Sequence, residues 1–117
     1  MDLDDACKRH TEWKYRLHLA IERKGSMDAS VLSKDDCCDL GKWLHGEGTT
    51  KFGFFLEMKD CIEKHAIFHK EAGKVAIIIN AKAYDNAAAM LGMDRSYVIA
   101  LKNMEVAIIR LKKKASL

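Results

Sequence analysis

The sequence contains no proline and no long apolar run. Because proline interrupts the hydrogen bonding of a helix, its absence from all 117 residues favours long, uninterrupted helices. No stretch approaches the roughly 18 apolar residues that a membrane-spanning helix needs. The N-terminus, MDLDDACKRH, is acidic and amphipathic, unlike a secretory signal peptide. We therefore expect a cytoplasmic, helical protein without a membrane span.

A strong excess of one charge is also missing. The net charge is +3, which is too small to predict nucleic-acid binding. The one basic run, Lys112–Lys114, lies at the C-terminus, where cations stabilise the end of a helix. The chain is long enough for one domain with a core and short for two. The sequence therefore predicts a single domain over residues 1–117, with no nucleic-acid partner.

Apolar residues recur at helical spacing along most of the chain. Steps of three and four residues form a seam of the kind that packs in helix bundles. The run VAIII at 75–79 continues the phase of the preceding helix, so we interpret it as helical. The predicted segments are residues 3–24, a short helix over 33–45, a helix from 49 to 80 and a last long helix. This pattern predicts an all-α, antiparallel four-helix bundle whose shortened helix carries Cys38.

Capping and turn residues mark the expected ends of these segments. For the first helix they are Asp2 or Asp4 at the start and Gly25 at the end; for the short helix they are Ser33 with Asp36 at the start and Gly46 and Gly48 at the end. For the third helix they are Thr49 or Thr50 at the start, with a break at Gly53. A chain reversal is expected within 80–85, and a bend in the last helix is expected at Gly92 and Asp94.

Three of the predicted seams carry residues that bind transition metals. His65 and His69 are four residues apart, so both imidazoles lie on one face of a helix. His10 lies on the seam of the first helix, and Cys38 lies one turn before Gly41 on the short helix. Buried polar groups cost free energy unless they are partnered, and one metal ion would partner them all. Imidazole and thiolate together favour zinc in a closed tetrahedral site.

The spacing leaves the cysteine ligand open. Cys61 lies one turn before His65, and Cys7 lies one turn before His10, so each shares a helix face with a proposed ligand. On geometry alone, Cys61 is as good a candidate as Cys38. The remaining histidines, each about two turns from a ligand on its own helix and expected at the surface or around the site, are His18 and His45.

Three motifs resemble those of the chemoreceptor zinc-binding (CZB) family, which occurs in bacterial chemoreceptors, in diguanylate cyclases and as stand-alone proteins. The motifs are HTEWKYRL from 10, CDLGKWL from 38 with GEG from 46, and HAIFH from 65. The resemblance implies that one zinc ion per chain is held by three histidines and one cysteine, which selects Cys38 over Cys61. The implied ligands are His10, Cys38, His65 and His69. The residues of the same motifs that we expect to support the ligands are Trp13, Gly41, Trp43 and Phe68.

The resemblance also implies a function and partners. Members of the family sense zinc, or oxidants such as hypochlorous acid, through the metal-bound cysteine, here Cys38. They pass the change to a chemotaxis or cyclic-di-GMP output, so we expect a chemoreceptor, a cyclase or another signalling protein as a partner. The family is often dimeric, and a homodimer is expected. This chain departs from the family in its doubled cysteine, which places Cys37 beside the ligand, and in carrying no output domain.

Other classes of function remain as alternatives. Four protein ligands leave no open coordination position, and only Ala66, Ile67 and Phe68 lie between the two histidines, so we expect no enzyme. A zinc-stabilised interaction module that senses nothing is the main alternative. A di-iron or haem bundle is the other, although the sequence has no ExxH motif of the kind that di-iron bundles use.

Overall fold

The computed structural model describes residues 1–117, and every element in it is helical. The helices are α1 (Leu3–Glu22), α2 (Ala29–Leu32), α3 (Asp39–Trp43), α4 (Thr49–Phe52), α5 (Leu56–Asn80), α6 (Tyr84–Met90) and α7 (Ser96–Lys114), and the segment Leu44–Gly48 between α3 and α4 is kinked at Gly46. The all-α expectation is confirmed, and VAIII lies inside α5 as expected. None of the helices combines the length and the apolar character that crossing a bilayer requires.

Helix α1 begins where its capping residue predicts but does not end as expected. The carboxylate of Asp2 accepts a hydrogen bond from the N–H of Asp5, which satisfies one donor of the first turn. We expected Gly25 to end the helix, but the helix ends at Glu22, and Lys24 adopts the left-handed conformation with φ of 51°. The N–H of Gly25 then bonds to the carbonyl of Ala20, which closes the end of the helix.

Helices α1 and α5 run in the same direction. His10 lies beside His65 in the first half of each helix. Farther along, Met27, which follows α1, exchanges two backbone–amide hydrogen bonds of 2.7 and 2.8 Å with the side chain of Asn80 at the end of α5. This register places the middle of α1 against the middle of α5.

Helix α7 runs opposite to both and closes the core. Lys112, near its end, forms an ion pair with Asp4 at the start of α1, and the ammonium of Lys114 lies over the ring of Phe55 at the start of α5. The longest buried stripe of the molecule, from Met58 to Ile79 on α5, packs along the buried face of α7. The last predicted helix is interrupted between α6 and α7, in agreement with the bend expected at Gly92 and Asp94.

The segment between α1 and α5 differs most from the prediction. We expected a connector over 25–32 and one helix over 33–45, but residues 29–32 form α2 and the next helix begins only at Asp39. Ser33 therefore ends a helix instead of opening one. Its carbon atoms pack against Gly73 of α5, where a Cβ would lie only 2.5 Å from the Cβ of Ser33. This contact holds the end of α2 against α5.

Candidate metal centre

Four side chains from three parts of the chain converge in the core. His10 comes from α1, His65 and His69 come from successive turns of α5, and Cys38 precedes the first residue of α3. One ligand atom from each lies within 4.8 Å of all the others. The three imidazoles are buried, with 3% exposure or less, and Cys38 is half-buried. The helix register that places His10 beside His65 therefore assembles a compact cluster of three nitrogens and one sulfur.

The spacing within this cluster matches the edges of a zinc tetrahedron. The Sγ of Cys38 lies 3.5, 3.2 and 3.5 Å from the Nε2 atoms of His10, His65 and His69, respectively. The Nε2 of His10 lies 3.2 Å from that of His65 and 3.4 Å from that of His69. Zinc–nitrogen and zinc–sulfur bonds of ordinary length give tetrahedron edges of about 3.3 to 3.6 Å. The donor set and its dimensions both fit one zinc ion.

The outer nitrogens of two rings have backbone partners. The Nδ1 of His10 lies 2.7 Å from the carbonyl oxygen of Ala6, and the Nδ1 of His69 lies 2.8 Å from that of Leu32. A carbonyl only accepts, so each Nδ1 carries the proton and each Nε2 presents a lone pair to the cluster. Lone pairs 3.4 Å apart repel one another unless a cation lies between them. Protein metal sites orient their imidazoles in this way.

Burial favours the neutral imidazoles that a metal requires. Burial, together with the nearby His69 and His10, lowers the pKa of His65 to about 2. The pKa values of His10 and His69 are also lowered, mainly by burial, although their backbone hydrogen bonds oppose the shift. The Nδ1 of His65 is buried without a hydrogen-bond partner. The cluster is therefore unsuited to three imidazolium charges.

Cys38 caps the short helix with its sulfur. Its backbone is extended, with φ of −86° and ψ of 162°, and the N–H of Gly41 donates to its Sγ over 3.3 Å. Burial raises the pKa of the Cys38 thiol, while the N–H groups of Gly41 and Leu40 oppose that shift. A bound dication favours the thiolate more strongly than these backbone groups do.

Gly41 is required by the backbone that precedes Cys38. A Cβ at this position would lie 1.7 Å from the carbonyl oxygen of Asp35, so no side chain fits. The close neighbour of this glycine is the backbone of Asp35 and Asp36, in the loop that leads to Cys38. Gly41 supports the cysteine in two ways, since it donates a hydrogen bond to the sulfur and allows the loop to fold back.

The structure separates the four clustered residues from the other candidates. Cys61 is fully buried one turn before His65 and lies outside the cluster, and burial raises its pKa to about 12. Cys7 also lies outside the cluster. His18 and His45 are exposed, and the Nε2 of His45 lies 2.9 Å from the carboxylate of Asp35. The position of Cys38 thus resolves the choice of cysteine that the spacing left open.

The aromatic residues of the motifs occupy different places. The ring of Phe68 is fully buried and meets His10 and His69 edge-on, with centroids 5.6 and 5.4 Å apart. Trp13 lines a cavity together with Cys38 and His69. Trp43 packs on Phe52 and Gly48 in the turn that follows α3. Of the expected supporting aromatics, Phe68 therefore contacts the imidazoles and Trp13 borders them.

Sequence reasoning missed the groups that orient the imidazoles. The carbonyl of Leu32 reaches His69 because α2 packs closely on α5 at Gly73, which lies one turn after His69. A glycine inside a helix of 25 residues was the available signal, since glycine costs about 1 kcal/mol relative to alanine there. The carbonyl of Ala6 left no sequence signal, because every residue has one.

An all-helical fold with a closed cluster of three histidines and one cysteine defines a class of small metal-binding domains. The sequence model of the family described as "Chemoreceptor zinc-binding domain" matches residues 10–76, which is more than half of the chain and includes all four clustered residues. The chain belongs to this family. Zinc is therefore its metal, and His10, Cys38, His65 and His69 are positioned as a single zinc site. No curated protein and no solved structure matches the chain significantly.

The lowered imidazole pKa values predict how the metal-free protein responds to acid. Unfolding restores the pKa of each histidine to about 6.5, so below that pH the unfolded state binds more protons than the folded state. Stability is therefore lost as the pH falls from about 6.5 toward the folded values, which for His65 reach about 2. Each histidine that stays neutral in the folded state contributes a slope of up to about 1.4 kcal/mol per pH unit to the free energy of unfolding.

Urea unfolding in the presence of a chelator, at about pH 7.5 and about pH 5.5, measures this effect. The matched control is His18→Gln, because His18 is exposed on α1 and its loss should leave the pH dependence intact. His65→Gln should weaken the pH dependence. Equal unfolding free energies at the two pH values would contradict the prediction.

Proposed function

We propose that this protein is a zinc-dependent regulatory domain of bacterial signalling, of the chemotaxis or cyclic-di-GMP type. Its site would respond to the zinc level or to oxidants such as hypochlorous acid through Cys38. One observation supports this most directly: three ligands belong to the long helices α1 and α5, whereas Cys38 belongs to a segment of short helices. The thiolate is also the ligand that oxidants attack.

The structure suggests what the loss of the Cys38 bond would release. The loop before Cys38 and helix α3 are tied to α1 by an exposed ion pair between Arg9 and Asp39, at 3.4 Å. Exposed pairs of this kind contribute about 0.2 to 1 kcal/mol. Helices α5 and α7 make the most extensive contact of the apolar core, to which this segment contributes Leu40 and Leu44. Loss of the bond would therefore loosen the loop before Cys38 and the start of α3 and leave the long helices packed.

The same geometry supports a role without catalysis. Four protein side chains occupy the corners of the site, so zinc would keep no position for a substrate or a reactive water. The cluster contains no carboxylate, which also argues against a di-iron site, whose ligands are mostly glutamates. Ligand atoms only 3.2 to 3.5 Å apart leave no room for a haem between them.

An oxidation experiment tests the sensing role. Mild oxidation by hypochlorous acid should weaken zinc binding by at least about 100-fold, since it removes one of four ligands and an adjacent charge. Competition with a chromophoric chelator measures the affinity, and circular dichroism measures the loss of the short helices. Cys38→Ser, which starts with weak binding, should show no further change with oxidant. If oxidation altered neither affinity nor helicity of the wild type, the sensing proposal would be wrong.

A structural role for zinc, without sensing, is the second candidate function. The deep burial of the three imidazoles favours it, because a buried ion exchanges slowly. It predicts that zinc stays bound at physiological concentrations of oxidant and chelator. The oxidation experiment therefore separates the two candidates.

We also propose that residues 1–117 form one domain, arranged as a four-helix bundle whose second member is broken into α2, α3 and α4. The reversed direction of α7 and its long contact with α5 support this arrangement, although the family match ends at residue 76. A homodimer that signals to a chemoreceptor or cyclase remains a prediction. A cluster of large aromatic residues could contribute to an interface, but only Phe54 of the set is largely exposed, at 76%; the set is Trp13, Trp43, Phe52, Phe54 and Phe55. Sedimentation velocity tests the dimer.

A further inference from the structure

The chain carries a second thiol directly beside its zinc-site cysteine. Cys37 is exposed, and its Sγ lies 3.7 Å from the carboxylate of Asp36, to which the thiol donates a weak hydrogen bond. It does not belong to the cluster of ligand atoms. Cys37 is therefore a free thiol adjacent to a ligand and not part of the site itself.

Cys37 and Cys38 border the same two cavities. One cavity, of about 190 Å³, is mainly apolar and is also lined by Trp13, Leu32 and His69. The other, of about 510 Å³, lies along α1 and is lined by both cysteines and by Asp39, Arg9 and His10, among others. A small reagent that reaches the sulfur of Cys38 through either cavity therefore also meets Cys37.

The backbone around the two cysteines is outside any helix. Residues 34–38 lie between the end of α2 and the start of α3, and Cys38 itself has extended dihedral angles. By contrast, Cys7 and Cys61 lie inside α1 and α5, whose hydrogen bonds fix the backbone. Both are also excluded from the ligand cluster. Of the three other cysteines, only Cys37 combines proximity to Cys38 with a backbone that is free to adjust.

We propose that Cys37 is the resolving thiol of this zinc site, which converts oxidised Cys38 into a reducible Cys37–Cys38 disulfide. The inference rests on the proposed function, because it requires that an oxidant reach Cys38. With hydrogen peroxide as oxidant, the Cys38 thiolate attacks one oxygen, the O–O bond breaks and hydroxide leaves, giving a sulfenic acid. The sulfur of Cys37 then attacks the Cys38 sulfur, the S–O bond breaks, and the hydroxide leaves with the Cys37 proton as water.

This second step determines whether the response is reversible. A sulfenic acid that meets no thiol is oxidised further to a sulfinic acid, which thiol reductants do not restore. Neighbouring Cα atoms are only about 3.8 Å apart across a trans peptide, whereas disulfides usually join Cα atoms about 4.4 to 6.8 Å apart. A disulfide between neighbours is therefore strained and easily reduced. Reduction regenerates the Cys38 thiol and allows zinc to bind again.

The chain is well suited to a direct test by mass spectrometry. Trypsin cleavage after Lys34 and Lys42 isolates both cysteines in one peptide, DDCCDLGK, which contains no other cysteine. The zinc-loaded protein is treated with hydrogen peroxide while a chromophoric chelator reports zinc release. It is then either digested or treated with a thiol reductant and reloaded with zinc. In the wild type we expect a peptide lighter by two hydrogens and nearly complete rebinding after reduction.

Cys37→Ser should release zinc to the same extent as the wild type, but its Cys38 should carry sulfinic acid. After reduction, the fraction of Cys37→Ser that rebinds zinc should be at least about fivefold lower than that of the wild type. Cys7→Ser is the matched control, because it also removes one thiol outside the cluster, and it should behave like the wild type. The inference is overturned if Cys37→Ser recovers as well as the wild type, or if the wild-type peptide carries only oxygen adducts or a disulfide to a second chain. If peroxide released no zinc from the wild type, the proposed function would fail as well.

Discussion

Cys38→Ala is expected to reduce bound zinc from one ion per chain to a small fraction, whereas Cys61→Ala should retain the full ion. The Sγ of Cys38 lies within 3.5 Å of all three Nε2 atoms and supplies the only negative charge of the donor set. Without it, three neutral imidazoles remain. Cys61 has a similar place in the sequence, one turn before His65, but it lies outside the cluster.

The same pair of variants should differ in stability. Structural zinc in small domains contributes apparent binding free energies of about 10 to 16 kcal/mol, which become folding free energy where the site forms only on folding. Cys38→Ala should therefore show a large fall in thermal midpoint, close to that of the wild type in chelator. Cys61→Ala removes one buried sulfur from the core and should cost about 1 to 3 kcal/mol.

Elemental analysis of the purified variants measures the stoichiometry, and thermal unfolding with and without chelator measures the coupling to stability. Chelator should lower the midpoint of the wild type and of Cys61→Ala but leave that of Cys38→Ala nearly unchanged. Full zinc occupancy in Cys38→Ala, or loss of zinc in Cys61→Ala, would show that Cys38 is not the cysteine ligand.

Gly41→Ala is expected to weaken zinc binding about 10- to 100-fold, although no ligand is altered. A Cβ at Gly41 would lie 1.7 Å from the carbonyl oxygen of Asp35 and 2.7 Å from its carbon, so the loop before Cys38 must move. That movement also disturbs the hydrogen bond from the N–H of Gly41 to the Cys38 sulfur. Replacement of a glycine inside a helix by alanine normally stabilises the protein by about 0.5 to 1 kcal/mol. A loss of stability in Gly41→Ala would therefore have the opposite sign.

The matched control is Gly25→Ala. A Cβ at Gly25 would come no closer than 3.8 Å to another residue, so the substitution should leave zinc affinity unchanged. Chelator competition measures the affinity of both variants, and urea unfolding measures their stability. Wild-type affinity in Gly41→Ala would mean that the loop and the position of Cys38 are not coupled through this glycine.

Much of the fold follows from local rules that the sequence contains. The absence of proline and the seam of apolar residues predict long helices, and the break before α7 follows from Gly92 and Asp94. The prediction was wrong for residues 29–38, because α2 forms at 29–32 and α3 begins only at Asp39. Ser33 has the sequence of a helix start, but its packing against Gly73 makes it a helix end. A short segment has few local hydrogen bonds, so tertiary contacts determine where its helices begin.

The zinc site was also predictable from the sequence only in part. The sequence by itself determined that His65 and His69 share a helix face and that His10 lies on a seam, because the period of the α-helix sets both. The helical spacing did not decide between Cys38 and Cys61, and the resemblance of the motifs selected Cys38. What only the tertiary structure decided is the place of the Cys38 sulfur, because the loop before α3 folds so that this sulfur meets three nitrogens. The distance between two helices depends on the packing of the whole core, and the periodicity of one helix does not determine it.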